Sequence, residues 1–176
     1  MKGQIRLATA KFPHKCIGSR LDTIARMALW EVGLDYKHGT GHGVGHYLNV
    51  HEGPIGISWR PYPDDPGLEK GMVLSDEPGY YLDGKFGIRL ENLVQVVAAD
   101  KDQISSEAVT EFLTFEPLTL VPIQTKMILP ELLSKDELDY LNDYHEICRE
   151  KVGTLLRELG NNEALNYLLR ETKPIG

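Results

Sequence analysis

The sequence has little of what marks several protein classes. Cysteine occurs only twice among 176 residues, as Cys16 and Cys148. The two are far apart and lack metal-ligand spacing, which suits reduced thiols in a cytoplasmic protein rather than a disulfide framework. No stretch approaches the run of about twenty apolar residues that a membrane helix needs. Lys2, Arg6 and Lys11 interrupt the opening segment, so no secretory leader is legible there. Basic residues are outnumbered, with 19 Lys and Arg against 26 Asp and Glu, a net charge of −7. No basic stripe exists to release counterions from a phosphate backbone, so nucleic acid is not an expected partner. Repeats and low-complexity segments are also missing. What remains, 41% hydrophobic and 26% charged, is the composition of a globular chain with one ordinary core.

Periodicity divides the chain. Residues 1–11 carry a weak helical pattern through Met1, Ile5 and Ala8, with Gly3 against it and no cap before it. Ser19 to Val32 reads as a stronger helix, with Ser19 as cap, apolar Leu21, Ile24, Ala28, Leu29 and Val32, and Gly33 as stop. Short apolar or alternating runs at Met72–Ser75, Phe86–Leu90 and Leu93–Val97 read as strands, with a turn at Asp83-Gly84. Val109–Phe115 and Leu118–Ile123 add two expected strands, limited by Pro117 and Pro122. Ser134 to Glu137 forms a capping box that opens a long helix, Gly160 ends it, and a short helix follows. The expected class is α+β, with units 1–124 and 125–176, the second a helical extension.

Four of the six histidines, His38, His42, His46 and His51, fall within one short glycine-rich segment. Alternate glycines, each costing about 1 kcal/mol in a helix, exclude the helical zinc motif that this spacing otherwise suggests. In an extended chain the histidines share one face and the glycines the other, where bare glycine admits another backbone or a substrate. Histidines four apart in a strand have Cα atoms roughly 13 Å apart. Two neighbours therefore barely reach one ion, so one is a candidate ligand and the others candidate proton donors or substrate contacts. A solvated surface loop is the plainer alternative, but titratable groups gathered this densely point to a site.

Glu77 and Glu91 stand at equal distance from Gly84, so a hairpin turning there brings them opposite each other. Facing carboxylates repel and normally need a shared proton or a cation. Arg89 lies on the same strand face as Glu91 and supplies part of that positive charge. Two solvated glutamates on an exposed hairpin are the alternative. One histidine with two carboxylates makes an oxygen-rich set suited to Mn(II), and to zinc less selectively.

The motifs His38 to Gly45, Asn49 to Pro54, Asp76 to Tyr81 and Gly87 to Asn92 resemble, in order, the eukaryotic Xaa-Pro aminopeptidases. These belong with methionine aminopeptidase and prolidase, whose catalytic domain is the pita-bread fold. Phe115 to Ile123 and the helical tail resemble the extension of the three-domain members. The resemblance implies that His42 and Glu77 are metal ligands and that Glu91 bridges two Mn(II) ions. It implies that His38 and His51 position substrate and move protons, and that Arg89 holds Glu91; His46 matches no ligand position. The implied reaction removes an amino-terminal residue ahead of proline, so the implied partners are peptides with proline second, and a homodimer or other self-association.

The family also draws two aspartate ligands from an Asp-x-Gly…Thr-Asp hairpin ahead of the histidine segment; here only Asp22, inside the helix pattern, and Asp35 precede His38, and no such hairpin is present. The expectation is the second half of a pita-bread domain with antiparallel strands, holding one ion or none and inactive alone. Two rivals stand beside it. One is a non-catalytic pita-bread module that binds protein; the other is a prolidase-type dipeptidase.

Overall fold

The first of two units, Met1–Thr119, sets two short helices against antiparallel strands in the computed structural model, which describes every residue except Leu48. Helix α1, Lys2–Ala8, buries Ile5 and Leu7, and Met1 at its N-cap makes no side-chain capping bond. Helix α2, Ser19–Trp30, buries Leu21 and Ala25. Ser19 is its first helical residue rather than its cap: Gly18 holds that position, and its carbonyl accepts the amides of Leu21 and Asp22. Gly33, at φ 74°, is the left-handed residue that stops the chain just beyond.

The described residues form eight strands: β1 Phe12–Pro13, β2 Gly41–His42, β3 Gly56–Ile57, β4 Val73–Asp76, β5 Gly79–Leu82, β6 Phe86–Arg89, β7 Asn92–Ala98 and β8 Phe112–Pro117. All pairings are antiparallel, in a four-stranded sheet β1-β8-β7-β4 and two ribbons, β2–β3 and β5–β6. Strands β4 and β5 read as one interrupted strand facing β7 and β6. Pro78, which has no amide hydrogen, sits at the break. Val73 pairs with Gln95 in one ladder and Gly79 with Arg89 in the other. That common register sets Glu77 opposite Glu91, with the turn at Gly84 (φ 71°) as the sequence predicts.

Two strand expectations need correction. Strand β8 starts at Phe112, not Val109, and Leu118–Ile123 forms no strand. The amides of Leu118 and Thr119 both reach the Leu93 carbonyl, after which the chain leaves the ladder. Pro117 and Pro122 each remove a donor that a continuing strand requires. The core joins Leu7, Leu21 and Ala25 from the helices to Phe12, Leu74, Val94, Val96, Leu113 and Phe115 from the sheet.

The second unit is Leu120–Gly176. Its long helix α3, Lys135–Glu158, begins with the predicted capping box: Ser134 Oγ accepts the Glu137 amide at 3.2 Å, and Glu137 Oε2 accepts the Ser134 amide at 2.9 Å. Gly160, at φ 67°, separates it from α4, Asn162–Glu171, which Asn161 caps. Among the described residues no helix is long and apolar enough to cross a membrane.

Candidate metal centre

Among the described residues of the histidine segment only Gly41–His42 forms a regular strand, shorter than the extended run the sequence predicts. Its amides find partners one at a time instead: Thr40 donates to Ile57, Gly43 to Ile55, and Val44 to Val73. Glycine offers the pleat no side chain to pack, so these main-chain bonds carry the segment. The bare face does admit close backbone, since a Cβ on Gly43 would collide with the Glu52 carbonyl oxygen at 2.1 Å.

Histidine 42 is the centre of the site. Its Nδ1 lies 3.0 Å from the Gly43 carbonyl, which only accepts, so Nδ1 carries the hydrogen. Nε2 then faces Glu77 Oε1 at 3.1 Å. A lone pair and a carboxylate oxygen at that distance leave a place between them where a metal ion about 2.1 Å from each would fit. Imidazole that donates its other nitrogen to a carbonyl is the usual form of a metal-ligating histidine. The same Glu77 oxygen accepts from Ser75 Oγ at 2.9 Å, and Ser75 Oγ accepts the His42 amide at 3.0 Å. The donor set therefore fits a hard divalent ion at His42 and Glu77. Glu91, opposite in register, is exposed past the end of β6. Among the described residues no three His, Cys, Asp or Glu groups already stand together as a ligand set.

Around this pair runs a second line of contacts. Arg89 Nη1 meets Glu77 Oε2 at 3.1 Å, so its ion pair is made diagonally across the ribbon with Glu77, where the resemblance had it holding Glu91. Arg89 Nε donates to the Tyr81 hydroxyl at 2.8 Å, and that hydroxyl lies 2.8 Å from His38 Nε2. His38 Nδ1 stands 2.6 Å from the Gly39 carbonyl and is the donor there. The Tyr81 hydroxyl hydrogen thus points at His38 Nε2, and the chain Arg89–Tyr81–His38 has one direction. His51 packs edge-on against His42, ring centroids 4.3 Å apart. His46 is exposed and does not line the cleft.

His38, His42, His51, Glu77 and Arg89 open on a cleft of about 400 Å³, which Glu52, Ile55 and Tyr62 also line. Asp76, beside Glu77, is wholly buried with neither carboxylate oxygen hydrogen-bonded. Burial pushes its pKa well above the usual carboxylate range. Sequence reasoning singled out His38, His42, His51, Glu77, Glu91 and Arg89 but gave no role to Ser75 or Tyr81. The signal was available: both stand at even spacing from Glu77, on the alternation that puts them on its side of the strand.

A sequence model of metallopeptidase family M24 matches residues 1–98, and a model of the C-terminal region of peptidase M24 matches residues 111–175. The chain belongs to metallopeptidase family M24. Among its M24 relatives, the Xaa-Pro aminopeptidase app-1 of Caenorhabditis elegans is 51% identical over 99% of this chain and 28% of its own length. The crystal structure of X-prolyl aminopeptidase from that organism, described as a cytosolic enzyme with a di-nuclear active site, superposes with a TM-score of 0.91. It is 50% identical, over 99% of this chain and 27% of that one. An Xaa-Pro dipeptidase from Bacillus anthracis gives a TM-score of 0.51 and 29% identity, over 70% of this chain and 29% of that one. This M24 chain therefore has part of the pita-bread architecture with the helical extension, and it spans little more than a quarter of the length of the three relatives just described.

Proposed function

We propose that this chain serves Xaa-Pro aminopeptidase chemistry, the metal-dependent removal of an amino-terminal residue that precedes proline. The observation that carries it is the His42–Glu77 pair, whose lone pair and carboxylate oxygen converge at 3.1 Å on a place where a cation fits. His42, Glu77 and Glu91 are the proposed ligands and Mn(II) the proposed ion. When bound, the metal supplies Lewis acidity toward the scissile carbonyl and a water acidified for attack.

The remaining roles belong to protein groups. Ser75 fixes the Glu77 oxygen that faces His42. Arg89 holds the other oxygen and orients Tyr81, which presents its hydrogen to His38. His38 accepts and returns a proton at Nε2, and His51, beside His42 at the cleft mouth, contacts the substrate. Residues 1–124 act as the catalytic unit and 125–176 as an extension. The cytosol is the proposed compartment, peptides with proline second the proposed substrates, and self-association the proposed assembly. Retention of His42 and Glu77 in contact speaks against a module that only binds protein. The likeness to aminopeptidases through the helical tail speaks against a dipeptidase.

Three protein ligands suffice for one ion and not for two, so the chain by itself should bind one Mn(II) weakly and leave an Xaa-Pro-Pro peptide uncut. Calorimetry with Mn(II) tests this, with binding expected to vanish in His42→Ala and Glu77→Gln. No binding by the parent chain would remove the metal reading. Two tight ions, or Mn(II)-dependent cleavage, would show that the ligand count is wrong.

A further inference from the structure

Arg26 heads the fully buried side chains of the molecule by size, at 2% exposure. A charge placed there is costly unless it is paired and its donors are used. All are used. Nε donates to Asp22 Oδ2 at 2.6 Å and Nη2 to Asp22 Oδ1 at 3.1 Å, a forked pair within α2. Nη1 donates to Asp35 Oδ1 at 2.8 Å and to the Tyr36 carbonyl at 2.6 Å, and Nη2 donates to the His38 carbonyl at 2.7 Å. These contacts employ the five hydrogens of the guanidinium. The group also stacks on the Tyr36 ring, 3.9 Å from its centroid. Thr40 completes the cluster: its hydroxyl donates to Asp22 Oδ1 at 2.6 Å and lies 2.5 Å from the Tyr36 hydroxyl.

Stability alone is a weak reason for such a group, because well-packed apolar residues often replace buried ion pairs at no loss. What the cluster grips is more telling. Residues 35–40 have neither helix nor strand, and only at Thr40, whose amide donates to the Ile57 carbonyl, does main-chain pairing with β3 begin. Arg26 binds the carbonyls of Tyr36 and His38 and the side chain of Asp35 in that stretch. Asp22, held by Arg26, binds Thr40. The Thr40 carbonyl in turn accepts the Glu77 amide at 2.8 Å. One guanidinium therefore sets both the base of the His38 side chain, which reaches Tyr81, and the main chain of the ligand candidate Glu77.

We propose that Arg26 is a positioning residue for the metal centre, acting with Asp22 and Thr40 to hold His38 and Glu77 in register across the cleft. The inference rests on reading those two as site residues. Lysine cannot take this place, since a single ammonium has three donors and no planar fork.

The test uses the 176-residue chain with Arg26→Lys, Arg26→Met and Thr40→Val. Its readouts are the imidazole nitrogen shifts of His38 at fixed pH, the His38–Tyr81 ring NOE, and amide exchange at Glu77 relative to Val96. Val96 donates to the Met72 carbonyl inside the main sheet and reports the fold as a whole. Positioning predicts that Glu77 exchanges at least about tenfold faster relative to Val96, while the ring NOE weakens and the His38 shifts move. A merely structural role would speed both amides alike and leave the NOE intact. If the Arg26 variants do not fold, Thr40→Val decides through the same ratio. Folded variants with unchanged His38 shifts and an unchanged ratio overturn the proposal. No substrate or metal enters these measurements, so a chain without peptidase activity counts against the proposed function and leaves this inference to its own result.

Discussion

The Cα of Gly41 is packed against the carbonyl oxygen of Ser75, so closely that a Cβ built there would come within 2.0 Å of it. Backbone lies on both sides of this contact, and no flexible side chain can move aside. Gly41→Ala should therefore force β2 away from β4 and destabilise the chain by about 1–3 kcal/mol, as overpacked interiors do. Urea unfolding measures it, and a midpoint equal to that of the parent would show that the two strands are less tightly apposed.

Ser75 has a second duty. Its buried hydroxyl accepts the His42 amide and donates to Glu77, tying together the two groups that face each other at 3.1 Å. Ser75→Ala leaves the His42 amide and one Glu77 oxygen each short of a partner, at a cost of about 1–3 kcal/mol. The substitution should also weaken Mn(II) binding, because Glu77 loses the bond that aims it. Calorimetry on parent and variant decides, and equal affinities would return Ser75 to a purely structural part.

In the second unit, His145 is fully buried and its Nε2 accepts the Ile123 amide at 3.0 Å. Burial first, and then the charge of Arg149, hold its pKa below the ordinary histidine value. A protonated ring has no lone pair left for Ile123. Because the folded pKa is the lower one, the unfolded chain binds more protons in the window between them. The stabilisation is complete above the unfolded value of about 6.5 and is lost as pH falls through the folded one. Urea midpoints measured from pH 7.5 down to 5 should fall, and His145→Asn, which keeps an acceptor without the titration, should remove part of that slope. Parallel pH profiles for the two chains would contradict the assignment.

Much of the architecture was legible because it depends on local chemistry. The capping box at Ser134, the left-handed stops at Gly33 and Gly160, and the turn at Gly84 each follow from residues a few positions apart. The facing of Glu77 and Glu91 followed from the same turn, since register in a hairpin is counted from its loop. The errors came where one local signal outweighed another. Leu118–Ile123 is apolar enough for a strand, yet prolines at 117 and 122 leave it without a continuing ladder. Ser19 is a good cap by type, but Gly18 occupies the position.

The sequence by itself determined which groups are available: a glycine-spaced row of histidines and two register-matched glutamates. Only the tertiary structure decided which of them meet. It turned His42 Nε2 rather than His46 toward Glu77, gave Arg89 to Glu77, put Tyr81 between Arg89 and His38, and closed the 35–40 segment around Arg26. The reason is one of range. Caps and turns are settled by bonds between residues nearby in the chain, whereas a buried charge or an unfilled lone pair is satisfied by whatever the packed fold brings within about 3 Å.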